Sequence, residues 1–83
     1  MKKYYTLHGE IDCENYMEVR LQKEDGDDVY LGCFGKYHRC GWEDGVYNKS
    51  VAAIAFMLGM KIDDMLDALS TGKTFKLEVE TYL

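Results

Sequence analysis

No stretch of this 83-residue chain approaches the roughly 20 consecutive apolar residues that a membrane-spanning helix requires. Lys2-Lys3 runs directly into Tyr4-Tyr5 and polar residues, not into an apolar segment. No secretory leader is therefore expected, and the sequence predicts a cytoplasmic protein without membrane contact. Cysteine is scarce: three residues, an odd number, in a chain with no sign of export point to thiols rather than to a disulfide framework. Proline is absent, and that absence on its own selects no fold. Nor is there a phosphate-binding P-loop, a dinucleotide fingerprint or a serine nucleophile elbow. Positive charge is also short, with 10 Lys and Arg against 15 Asp and Glu and a net charge of -5.

The position of that deficit says more than its size. Seven acids, Asp12, Glu14, Glu18, Glu24, Asp25, Asp27 and Asp28, stand against Arg20 and Lys23 in one segment, and the rest of the chain balances. Such an acidic lobe repels phosphate, so nucleic acid and anionic membranes are not expected partners, whereas a protein with a basic surface is. The remaining composition, 47% hydrophobic and 13% aromatic, is that of a globular chain, and the length suits one domain over residues 1–83.

The one long apolar run, Val51-Ala52-Ala53-Ile54-Ala55-Phe56-Met57-Leu58-Gly59-Met60, predicts the spine of the core. Three alanines, a leucine and a methionine favour a helix over a strand. Asn48 or Ser50 can cap its start, and Gly59 can take the left-handed conformation at its end. Val51, Ile54, Ala55 and Leu58 share one stripe, and Phe56 and Met57 fall outside it. Apolar surface wrapping beyond a single stripe predicts deep burial within the domain, with coverage by a partner as the alternative, so a homodimer stays open. A second helix is expected where Ile62, Met65, Leu66 and Leu69 recur at helical spacing opposite Asp63, Asp64 and Asp67, with Ser70-Thr71-Gly72 at its end.

Strands are expected on both sides of the helices. The first runs from Lys3 to Ile11 with Gly9 as a bulge or bend, followed by a polar break from Asp12 to Asn15. Met17, Val19 and Leu21 alternate with Glu18, Arg20 and Gln22, and the turn from Lys23 to Asp28 leads into a return strand from Val29 to Phe34. A glycine-rich loop from Gly35 to Gly45 has room for a short irregular strand, and Thr74 to Leu83 reads as a closing strand and sheet edge. The order β-β-β-α-α-β predicts an α+β fold: an antiparallel sheet of three to four strands with a short helical pair packed on one face.

Within residues 50–72, the stretch from Ile54 to Met65 resembles the helix-turn-helix of phage-repressor-like proteins. The small Ala55, the turn glycine Gly59 and the apolar Ile54, Leu58, Met60 and Met65 carry that resemblance. It implies a nucleic-acid-binding regulator whose second helix enters the major groove, and this is the alternative function. The residues standing where bases would be read are Asp63 and Asp64, with Asp67 behind, and carboxylates there face phosphate repulsion.

His8, Cys13, Cys33, His38 and Cys40 offer soft metal ligands, but their spacing lacks the paired C-x2-C knuckles of zinc sites. Cys33 or Cys40 beside His38 suggests an activated thiolate without an orienting third group. Asp25-Gly26-Asp27-Asp28 lacks the further ligand positions of a calcium loop. No metal, cofactor or catalytic residue is assigned on these grounds, and no enzyme is expected. Phe34, Tyr37, Trp42 and Tyr47 gather around glycines, either as a recognition surface or as one edge of a small core. The expectation is a small, acidic, non-enzymatic protein-interaction module of bacterial or phage type, regulatory or inhibitory, binding through Asp25, Asp27, Asp28, Tyr37, Trp42 and Tyr47.

Overall fold

Alternation of apolar and polar residues lays down a sheet that buries one face. The computed structural model describes residues 2–13, 16–37, 41–43 and 48–80, with the side chains of residues 12, 13, 37 and 41 excepted. Its elements are β1 (Lys2–Cys13), β2 (Tyr16–Lys23), β3 (Asp28–Tyr37), β4 (Gly41–Trp42), α1 (Lys49–Leu58), α2 (Ile62–Ser70) and β5 (Phe75–Glu80). Neighbouring strands are antiparallel in the spatial order β4-β3-β2-β1-β5. Four long strands and two helices make the α+β fold that the pattern predicts, and β4 is the short strand inside the glycine-rich loop. Leu7, Met17, Val19, Phe34 and Leu77 of the sheet form one core with Val51, Ile54 and Ala55 of α1 and Met65, Leu66 and Leu69 of α2. No helix among the described residues is long and apolar enough to cross a membrane.

Several boundaries differ from the expectation for identifiable reasons. Gly9 is not a bulge: β1 runs straight through it, paired with Val19. A Cβ at Gly9 would meet Met17 Sδ at 2.6 Å and Leu69 Cβ at 3.3 Å, so the missing side chain makes room for α2 to lie close on the sheet. The bulge lies in β3 instead, where Val19 faces Gly32 and Arg20 faces Tyr30, leaving Leu31 as the extra residue. Gly32 takes φ 143°, a value that side-chain-bearing residues rarely adopt. The polar break is narrower than expected, because β1 extends through Asp12 to Cys13, which pairs with Tyr16.

The helix termini follow their capping chemistry. Asn48 Oδ1 accepts from Val51 N at 3.0 Å, and its Nδ2 donates to Leu31 O at 2.8 Å, so one side chain caps α1 and ties it to the bulge. Gly59, at φ 68°, closes α1, with Met60 N donating to Ala55 O at 3.0 Å. α2 has no side-chain cap at Lys61 but carries Asp63 and Asp64 against the positive end of its dipole.

The expected deep burial of α1 is corrected. Val51, Ile54 and Ala55 are buried, whereas Phe56 is 86% and Met57 56% exposed. Nothing within the described residues lies outside α1, and a single helical layer on a sheet can cover only the helix's inward stripe.

Candidate interaction site

The β2–β3 hairpin owes its shape to one glycine and one aspartate. Gly26 N donates to Lys23 O at 3.0 Å and Lys23 N to Asp27 O at 2.8 Å, with Gly26 at φ 97°. These bonds close a three-residue connection, where a left-handed glycine relieves the mismatch between the strands. Asp25 Oδ1 accepts from Asp27 N at 3.0 Å and fixes the turn from within. Every residue from Gln22 to Tyr30 is exposed, so the hairpin end runs past the helices as an arm of a molecule measuring 44 × 23 × 18 Å. Glu24, Asp25, Asp27 and Asp28 stand on that arm against Lys23 alone.

The other half of the expected surface is elsewhere. Trp42 is paired with Lys36 at the far end of β3, about 25 Å from Asp28 at the usual rise of an extended chain. It is also only 8% exposed and belongs to the core, as does Phe34 at 1%. The reading of Trp42 as a recognition aromatic is therefore corrected: it and Phe34 form the edge of a small core. A buried indole needs an acceptor for its N–H, and Trp42 Nε1 finds Asp67 Oδ1 at 2.9 Å, the same oxygen that Lys36 Nζ reaches at 2.7 Å. The hydrogen bond from Lys36, and then that from Trp42, hold the Asp67 carboxyl below its ordinary range. Tyr37 contributes its backbone to the end of β3, paired with Gly41, and Tyr47 lies outside the described residues.

The acidic lobe is divided by the fold as well. Antiparallel pairing puts Asp12 near the end of the sheet where Cys13 meets Tyr16, and Glu24 to Asp28 at the opposite end. Between them Glu18 accepts from Arg20 Nη2 at 3.1 Å, and that bond lifts the guanidinium above its ordinary range. Glu14 lies outside the described residues. Beside the arm, Lys2, Lys3, Tyr4 and Tyr5 share a shallow groove with Lys23, Glu24 and Asp25, so basic residues border the acidic tip on one flank.

His8 is a residue whose surroundings the sequence does not announce. On the sheet face away from the helices, its Nε2 is buried without a hydrogen bond, and the nearest carboxylate oxygen, Asp28 Oδ2, is 3.7 Å away. Cys33 is exposed on that same face, opposite Glu18. It is separated from His8 by the whole of β2, at least about 9.5 Å of strand spacing. Among the described residues no three His, Cys, Asp or Glu side chains are placed to hold a metal ion. Cys13's side chain, His38 and Cys40 lie outside that description. For the helix-turn-helix reading, Lys61, Asp63 and Asp64 are exposed at the start of α2, so the surface that would approach phosphate carries two carboxylates against one lysine.

Comparison with protein-family models, with curated proteins and with solved structures finds no match for this chain.

Proposed function

We propose that this protein is a non-enzymatic protein-interaction module that engages a basic surface of another protein through the tip of the β2–β3 hairpin. One observation carries the reading. The arm from Gln22 to Tyr30 is exposed throughout and presents four carboxylates on a turn held by its own hydrogen bonds. An ordered turn loses little conformational freedom on docking, and a local excess of one sign steers a partner of the opposite sign. A module of this kind regulates or inhibits by occupying its partner's surface.

The test is affinity capture at low and high salt, followed by quantitative binding to the captured protein. Replacing Asp25, Asp27 and Asp28 together with serine should weaken binding about 10-fold or more and flatten its salt dependence. The circular dichroism should stay unchanged and the melting temperature should fall only slightly, because the side chains lie on the exposed arm and only the Asp25 bond within the turn is weakened. Undiminished binding by the triple variant would remove the hairpin from the reading.

A further inference from the structure

The outer face of α1 is the feature that the hairpin reading leaves unused. From Ser50 to Met60 there is no charged residue, although 30% of the chain is charged. A helix on a protein surface ordinarily turns polar side chains outward. Here the outward side chains after Ser50 are Ala53, Phe56 and Met57, with Ala52 and Met60 half-buried beside them. Phe56 forms one wall of a shallow groove lined also by Ala52, Ala55, Met60 and Ile62, with Lys61 and Asp63 at its polar rim. One small area therefore holds both a projecting ring and an open apolar depression beside it.

A patch that is complementary to itself is the signature of a two-fold contact, in which each copy gives and receives the same groups. The charges at its ends select the direction. Lys49 is exposed at the start of the stripe that continues through Ala53, Phe56 and Met60, and at the other end Lys61 and Asp63 border the groove with Asp64 exposed beside them, a net negative end. Antiparallel helices bring each Lys49 towards the other copy's net negative end, whereas parallel ones set like against like.

We propose that the occupant of this face is a second copy of the chain, with the two α1 helices antiparallel about a two-fold axis and Phe56 of each seated in the groove of the other. The contact is small, and the dimer it makes is correspondingly weak, in the micromolar range. It is independent of the hairpin, so the serine variant of the arm leaves it intact.

The test is sedimentation velocity on the full chain between about 1 and 200 µM, a range that brackets micromolar association. The wild type should pass from monomer to dimer. Phe56→Glu should raise the dimer dissociation constant roughly 30-fold or more, as loss of a central aromatic anchor does. It should leave the circular dichroism of the monomer unchanged, since that side chain is 86% exposed. Lys49→Glu should weaken association, and adding Asp63→Lys to it should restore association. A monomer throughout the range overturns the proposal, and so does a dimer that Phe56→Glu leaves intact. A monomer whose Phe56 is instead buried by a different protein overturns it too. Failure of the charge swap to restore association overturns the antiparallel arrangement.

Discussion

The two helices are nearly equal in length, ten residues in α1 and nine in α2, and they rest on the same core, yet they turn different chemistry outward. α2 buries Met65, Leu66 and Leu69 and exposes Asp63 and Asp64; α1 buries Val51, Ile54 and Ala55 and exposes Phe56 and Met57. In α2 the apolar period and the buried face coincide. In α1 the apolar period is wider than the face the sheet can cover. The contrast teaches that hydrophobic periodicity reports which side chains gain from burial, not whether the same chain supplies something to bury them.

The contrast can be broken most directly by truncating one side chain on each helix and measuring unfolding in urea at low protein concentration. Leu66→Ala, at a fully buried position, should cost about 2–5 kcal/mol. Phe56→Ala should change monomer stability by less than about 0.5 kcal/mol, as exposed substitutions do. A comparable cost at both positions would mean that the outer face of α1 is covered within the monomer.

The helix starts sharpen it further. Asn48→Ala removes the cap of α1 and the donor to Leu31 O together, and should cost about 1–2 kcal/mol in thermal or chemical unfolding. Lys61→Ser gives α2 the side-chain cap it lacks and should gain about 0.5 kcal/mol. If the two variants behaved alike, the Asn48 bridge would carry no weight.

The smallest effect belongs to Asp67. Its carboxyl is held below its ordinary range in the folded protein, chiefly by Lys36 and then by Trp42. The stability it lends is therefore complete above about pH 4, the ordinary aspartate value, and is lost as pH falls through the lowered folded value. Asp67→Asn should narrow the stability difference from wild type as the solution is acidified. The side chain is half exposed, so screening should keep that difference below about 1 kcal/mol even at neutral pH. A gap that does not change with pH would make Asp67 a neutral acceptor only.

The legible parts of this molecule were those decided by neighbours in sequence. The alternation through Met17, Val19 and Leu21, the aspartate-glycine turn and the spacing of Met65, Leu66 and Leu69 all state their own geometry. What depended on distant segments was not legible. Gly9 and Gly32 are both glycines within strands, but only the approach of Leu69 to one and the cross-strand register at the other decide which of them adjoins a bulge. Trp42 beside flexible glycines reads equally well as a recognition side chain, because its acceptor, Asp67, lies a helix away in sequence. Asp67 itself sits in a row of acids that mark an outer face. The acidic segment looked like one lobe because sequence distance cannot show that antiparallel strands carry Asp12 and Asp25 to opposite ends.

The extra residue in β3 also sets the phase of the arm. Phe34 and Lys36 face the helices, and uninterrupted alternation would place Tyr30 and Asp28 on that same side. Leu31 breaks the count: Tyr30 stands opposite Arg20 and stacks under its guanidinium at 5.2 Å, and Asp28 comes within reach of His8. The chain behind the bulge and the chain ahead of it thus keep opposite parity. Deleting Leu31 would therefore straighten the strand and leave both walls as they are, whereas drawing Leu31 into the ladder opposite Arg20 would roll the outer half over and exchange them.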